Sequence, residues 1–404
     1  MTLSQVAQSI SESATLKLNA LAARLRVAGE PIIHLGGGEP VSKAPEGAIR
    51  EAVELIQTGA VRYTPPDGIP ALKKEIIRYT EQFYGGTFRP ENVMASGGTK
   101  QAIMVALQAI LNPGDEALFA APYWVSYPEM AKLALGVPVV VDVPEGTFEP
   151  RVADFEKRIT PRTRAVIINS PNNPTGAVYS EAFMAGLVEL CERRGLFLIS
   201  DDIYHRLVFD GHPPCNLLQF AKDRSESARL LIVNGASKQY AMTGFRIGWA
   251  VTHNSRLIAA MSSIQGHQTS GPSVIAQVAA VGAMQGEQRC VDDLRSSLEQ
   301  SRNALLAKLA AFKRLRVIRP GGTFFVFPDF RGYEPSSHRL AHFLLEKVKV
   351  VTVPGVEFGA EGRLRLSFCG GLDETLEGVE RIRWALDETT PRARFGQHEF
   401  VRDW

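Results

Sequence analysis

Lys238 stands in the stretch Ser237-Lys-Gln-Tyr-Ala-Met-Thr-Gly-Phe-Arg-Ile-Gly248, and its amine can form a Schiff base with an aldehyde cofactor. If that cofactor carries a pyridine ring, the ring works as an electron sink while a carboxylate keeps its nitrogen protonated, and Asp201 is placed for that role. A lone lysine after a strand is ordinarily a solvated charge. The context of Lys238 differs, because two other polar clusters, Asn169-Ser-Pro-Asn-Asn-Pro-Thr-Gly176 and Ser200-Asp-Asp-Ile-Tyr204, also follow short apolar runs.

Those runs, at 117–120, 137–143, 165–168, 196–199, 230–233 and 247–251, are apolar throughout and separated by helical patterns. Such a pattern predicts an α/β fold with a mostly parallel central sheet and helices on both faces, whose ligands sit beyond the carboxyl ends of the strands. Helices are expected over 14–28, 46–57, 69–84 and 100–111, the last entered through the turn Ser96-Gly-Gly-Thr99. After Pro272, helices to about residue 312 give way to a smaller α+β domain with strands at 323–327, 350–353 and 364–368 and a helix over 338–347. The expected division is an N-terminal arm over 1–45 that also contributes to the small domain, a large domain over 46–287, a small C-terminal domain over 288–389, and a tail over 390–404. With Phe395, Phe400 and Trp404, the tail is either a docking segment or disordered.

In 404 residues, 45 basic and 43 acidic side chains leave a net charge of +2, too weak a field to favour nucleic acid or membrane, so small molecules are the expected partners. The four cysteines, Cys191, Cys215, Cys290 and Cys369, form no Cys-x-x-Cys pair, which argues against a zinc site or disulfide framework and for a reducing, cytoplasmic setting. No secretory signal or membrane span is expected. His338 and His342 have zinc-pair spacing, but Arg339 stands where a His-Glu-x-x-His motif needs glutamate, so no metal is expected.

The motif around Lys238, with Asn173-Pro-Thr-Gly176 and Asp201-x-x-Tyr204 before it, resembles the class I and II aminotransferases of fold type I over about 13–386. Tyr63-Thr-Pro-Pro-Asp-Gly-Ile-Pro70 and Pro122-Tyr-Trp-Val-Ser-Tyr-Pro-Glu-Met130 look particularly like the bacterial aspartate and prephenate aminotransferase branch. The resemblance implies a large domain that binds pyridoxal 5′-phosphate. Lys238 would hold the cofactor and shuttle the substrate's proton, Asp201 would hold the pyridinium nitrogen, and Tyr204 and Asn173 would bond the phenolic oxygen. Trp124 would stack on the ring. The phosphate would take the backbone amides of Gly98, Thr99 and Lys100 with Ser237 and Arg246, and Tyr63 would reach it from a second subunit, making a homodimer with shared active sites. Arg365 would clamp the substrate α-carboxylate, helped by Gly38 and Asn173.

The implied reaction moves the amino group of an L-amino acid to a 2-oxo acid. Ser13, Thr15 and Lys100 match positions that bind a distal carboxylate in that branch, which favours aspartate or glutamate as donor and 2-oxoglutarate, oxaloacetate or prephenate as acceptor. Ser13 and Thr15 also read as caps of the first helix. In Gln265-Gly-His-Gln-Thr-Ser-Gly-Pro272 the chain departs from relatives, which often have small hydroxyl residues at 266–268, and His267 is either a substrate contact or a buried structural histidine. Another amino acid, a lyase on the same scaffold, or a non-enzymatic regulator remain as alternatives. The last resembles an aminotransferase fused to a DNA-binding segment, for which the stretch before Ser13 is short.

Overall fold

In the computed structural model, which describes residues 3–12, 14–214 and 216–404, seven strands form the central sheet. Their spatial order is Val93–Ser96, Gly248–Val251, Leu230–Gly235, Phe197–Asp201, Thr163–Asn169, Glu116–Ala120 and Val137–Val141. Six run in one direction, and Gly248–Val251 lies antiparallel to both of its neighbours. The sheet is therefore mixed, with a mostly parallel centre. Its inner strands are buried on both faces because helices cover both, and two apolar clusters result. One packs Leu118, Val166, Leu198 and Ile232 against the helix Pro70–Tyr84, and the other packs Phe119, Ile167, Ile199 and Leu231 against the helix Thr99–Ile110.

The strand Val93–Ser96 does not figure in the sequence expectations. It is four residues long and runs straight into the Gly97-Gly98 turn, so its turn residues mask its strand character. The edge strand ends at Val141 rather than at 143.

A third apolar cluster, with Phe324, Phe330, Leu344, Leu366 and Trp384, lies among the C-terminal elements. There the strands Val353–Pro354, Leu364–Ser367 and Phe325–Val326 pair antiparallel, and Ile33–His34 pairs parallel with Val350–Val351, which brings residues 36–41 toward the sheet ends. Residues 392–401 form a hairpin of the strands Arg392–Phe395 and His398–Val401. Trp384 on the helix Leu372–Asp387 meets Phe395 at 6.1 Å and Trp404 at 5.4 Å, so the tail is folded and docked. Among the described residues no helix is long and apolar enough to cross a membrane, and no group of three or more His, Cys, Asp or Glu is arranged to hold a metal ion. His338 faces Glu357 instead.

Candidate active site

Parallel pairing in register places Asn169 beside Asp201 and Asp201 beside Val233, so the carboxyl ends of three adjacent strands open on one side. A cavity of about 330 Å³ lies there. It is lined by Asp201, Tyr204, Asn173, Lys238, Ser237, Arg246, Thr99, Lys100, Trp124, Gly38 and Arg365, residues drawn from nearly the whole length of the chain.

Asp201 is only 3% exposed. Burial pushes its carboxyl up to about 6, against the pull of a 2.7 Å hydrogen bond donated by the Tyr127 hydroxyl and of the Ile203 amide. Asn169 locks the strand ends together, donating through Nδ2 to the Asp201 carbonyl at 2.7 Å and accepting at Oδ1 from the Asn173 amide at 2.8 Å. Lys238 donates to the Gly38 carbonyl at 2.6 Å, and desolvation pulls its amine down to about 8. Burial pushes the Tyr204 hydroxyl well above its ordinary value, although Arg365 and Asn173 beside it oppose the shift.

Arg365 is the most demanding group in the site. It is 2% exposed, donates to Asn173 Oδ1 at 3.0 Å and to the Gly36 carbonyl at 2.9 Å, and lies over the Phe325 ring at 4.2 Å, while its Nε has no partner. Desolvation lowers its pKa to about 10. Among the described residues no carboxylate oxygen lies within 4 Å of the side-chain nitrogens of Arg365, Lys100, Lys238 or Arg246. A buried cation without an anion is costly, so Arg365, which shares the cavity with the partly buried Lys238 and the exposed Lys100 and Arg246, favours a ligand that brings negative charge.

At one end of the cavity the helix Thr99–Ile110 begins, and its first-turn amides have no carbonyl to bond within the helix. Gly98 has a φ of +98°, and a Cβ there would come within 2.6 Å of the Arg246 guanidinium, so only glycine lets the arginine approach the helix start. The Gly98 amide itself donates to the Ser96 carbonyl at 2.7 Å, which removes it from the expected anion cup. Thr99 and Lys100 still offer theirs. The Thr99 hydroxyl is also spent, donating to the Asn234 carbonyl at 2.9 Å. Lys100 holds its ammonium 4.8 Å from the Trp124 ring centre, and desolvation together with Arg246 lowers its pKa.

The remaining expected residues do not join this cluster. Tyr63 is 93% exposed and does not line its own chain's cavity. Ser13 lies outside the described residues, and Thr15 falls in the helix Ala14–Val27 with its side chain outside the description. His267 is exposed on the helix Ser255–Thr269, so it is no buried structural histidine, and Gln268 bonds Gln108 at 2.6 Å. Tyr127, Phe325 and Ile203 belong to the site without having been given a role there, while Asn169 opens one of the polar clusters expected at the strand ends. Tyr127 lies in the stretch Pro122–Met130, where the sequence marks no role for it. Its hydroxyl reaches Asp201 only because the strands that precede the two residues lie in one sheet.

Residues 30–382 match the family model for aminotransferases of class I and II. The aspartate aminotransferase of Geobacillus stearothermophilus is 38% identical over 388 residues, covering 95% of this chain and 98% of that protein. The aspartate/prephenate aminotransferase of Thermus thermophilus is also 38% identical over 388 residues, with the same coverage of both. In structure, the aspartate aminotransferase from Thermus thermophilus with maleate superposes with a TM-score of 0.90 at 37% identity, covering 96% of this chain and all of that one.

Proposed function

We propose a function from one premise: the chain belongs to the class I and II aminotransferases. On our reading it is a transaminase that uses pyridoxal 5′-phosphate to move the amino group of aspartate or glutamate to a 2-oxo acid. When bound, the cofactor supplies an electron sink for the carbanion at the substrate Cα and a carrier for the amino group. The charges in the cavity fit such a ligand: a buried acid for a ring nitrogen, a helix start with Arg246 for a phosphate, and an amine for an aldehyde.

Lys238 would hold the cofactor through its amine, which desolvation brings down to about 8, and the same Nζ would hold and return the Cα proton. Asp201, ionised at neutral pH and favoured as carboxylate by the Tyr127 hydroxyl, would keep a proton on the cofactor's ring nitrogen. Tyr204 and Asn173 would take its phenolic oxygen, Trp124 would cover its ring, and Ser237, Arg246 and the amides of Thr99 and Lys100 would take its phosphate. Arg365 clamps the α-carboxylate beside Gly38, and Lys100, with Ser13 and Thr15, takes the distal one.

We also read the chain as a homodimer with shared sites. Tyr63 stands almost fully exposed, and Ile49, Val53 and Ile56 form an exposed apolar stripe at helical spacing on Glu46–Thr58, a face suited to a second copy that would receive Tyr63. The observation that carries the proposed reaction is Arg365, a buried guanidinium without a carboxylate. A screen of amino donors with the cofactor-loaded protein tests it. Aspartate or glutamate should convert a 2-oxo acid to its amino acid, and Lys238→Ala should abolish this. Turnover of a single amino acid to ammonia with no acceptor required would overturn transamination.

A further inference from the structure

The segment 320–325 carries a strain that the proposed chemistry does not account for. Thr323 is fully buried and has a φ of +64°, a region that a β-branched residue rarely enters. Its amide donates to the Leu207 carbonyl at 2.9 Å, and its hydroxyl accepts from the Phe325 amide at 3.1 Å. Gly176, with a φ of +69°, lets the same segment come close, since a Cβ there would stand 2.9 Å from the Phe325 carbonyl oxygen. Backbone strain held by its surroundings clusters where a side chain must be presented to a site. The side chain presented here is Phe325, which lines the cavity and is only 1% exposed.

Phe325 pairs with Ser367 across the two strands, and side chains two apart along a strand share a face, so Phe325 stands on the face that Arg365 occupies. The guanidinium lies over its ring at 4.2 Å, with the Phe358 ring at 5.1 Å. Phe325 is itself held, perpendicular to the Tyr204 ring at 6.1 Å and 4.6 Å from the Phe324 ring. An acid would fix the cation as well, but it would occupy the N–H groups that a substrate carboxylate needs. A ring face attracts the cation across the guanidinium plane and takes no N–H. Of the five N–H groups of Arg365, one goes to Asn173 Oδ1 and one to the Gly36 carbonyl. We propose that Phe325 is a positioning residue, whose ring face orients Arg365 and leaves its remaining in-plane donors free for the substrate α-carboxylate. Because Tyr204 packs against the same ring, Phe325 also sets the clamp at a fixed place relative to the Tyr204 hydroxyl's end of the site.

This role rests on the reading of Arg365 as the carboxylate clamp, and the two are tested apart. Phe325→Leu keeps an apolar side chain and removes the ring face, whereas Phe325→Tyr keeps the face. In the loaded enzyme Phe325→Leu should lower kcat/KM by about 10- to 30-fold, equally for aspartate and alanine, because both donors carry the α-carboxylate. The loss should lie mostly in KM, with kcat changed less than about threefold, as removal of a contact made in ground and transition states alike requires. Phe325→Tyr should stay within about threefold of wild type. In the cofactor-free protein the rate at which phenylglyoxal modifies Arg365, followed by peptide mass, should rise several-fold in Phe325→Leu and return in Phe325→Tyr, since a guanidinium without the ring is freer and less held in its charged form. A lowered melting temperature with KM and Arg365 reactivity unchanged would make Phe325 a packing residue and overturn the proposal, as would a Tyr variant that behaves like Leu. A wild-type protein that transaminates no donor would instead defeat the proposed function, and the phenylglyoxal rates would still decide the positioning role.

Discussion

The inner wall of the cavity, with Asp201, Tyr204 and Lys238, rests on adjacent parallel strands and is braced by buried hydrogen bonds, whereas the outer wall, with Lys100 and Arg246, ends in exposed side chains. The two walls divide the chemistry accordingly. Groups whose protonation must be held are desolvated and fixed, while groups that meet the variable end of a substrate remain near solvent, where charge is screened and exchangeable. Arg365 belongs to the inner wall by burial although we propose it as the substrate's carboxylate clamp, and that placement makes it the sharpest probe of the contrast.

Replacing Arg365 by Leu removes a buried guanidinium that has nothing but neutral partners, so in the free protein the change costs little stability. Catalysis should suffer far more. Loss of a two-pronged carboxylate contact of about 3 kcal/mol lowers kcat/KM for every amino donor by about 100-fold, irrespective of side chain. Steady-state kinetics with aspartate and with an aromatic donor check this. A loss confined to aspartate would reverse the roles given to Arg365 and Lys100.

The inner wall was legible in the sequence because strand ends dictate it. Short apolar runs fix which residues emerge at the carboxyl edge, and Asp201, Asn173 and Lys238 each follow one. Arg365 and Trp124 entered through motif resemblance, and the cavity contains both. What escaped reading depends on contacts between distant segments: Tyr127 reaches Asp201 across 74 positions of sequence, and Gly98 spends its amide on Ser96 in a turn whose hydrogen bonding a run of glycines does not specify. The hairpin 392–401 escaped for a similar reason, since its apolar residues gain meaning only against Trp384. On the outer wall, Ser13 and Thr15 gain no support from the described contacts, and the proposed action of Tyr63 on a second copy would leave no trace within one chain.

The inner wall carries a cost that can be measured without cofactor. Asp201 titrates at about 6 in the folded chain and near 3.9 when unfolded, so between those values the folded state binds more protons. Stability from this group is therefore full below about pH 4 and falls as pH rises through about 6. Cofactor-free Asp201→Asn should be more stable than wild type at about pH 7.5 by about 3 kcal/mol, with the gap closing toward pH 4, while its transamination collapses. Urea unfolding at several pH values measures the gap. A variant equally stable at all of them would mean that Asp201 is not strained by burial, and the contrast between the walls would lose its energetic basis.

Lys100 tests the outer wall, with the smallest effect of the three. Its ammonium sits over Trp124 at the cavity mouth with no acidic partner among the described residues, while its backbone amide belongs to the helix start. Lys100→Met therefore removes the charge and leaves the amide. A single partly solvated charge contact is worth about 1 kcal/mol, so KM for aspartate should rise several-fold up to about tenfold, and kcat/KM for alanine should stay within about twofold. Salt distinguishes this from a packing effect. In wild type, KM for aspartate should climb between low salt and about 0.5 M as the attraction is screened, and in Lys100→Met it should not. Equal losses for aspartate and alanine would place Lys100 with the phosphate rather than the distal carboxylate.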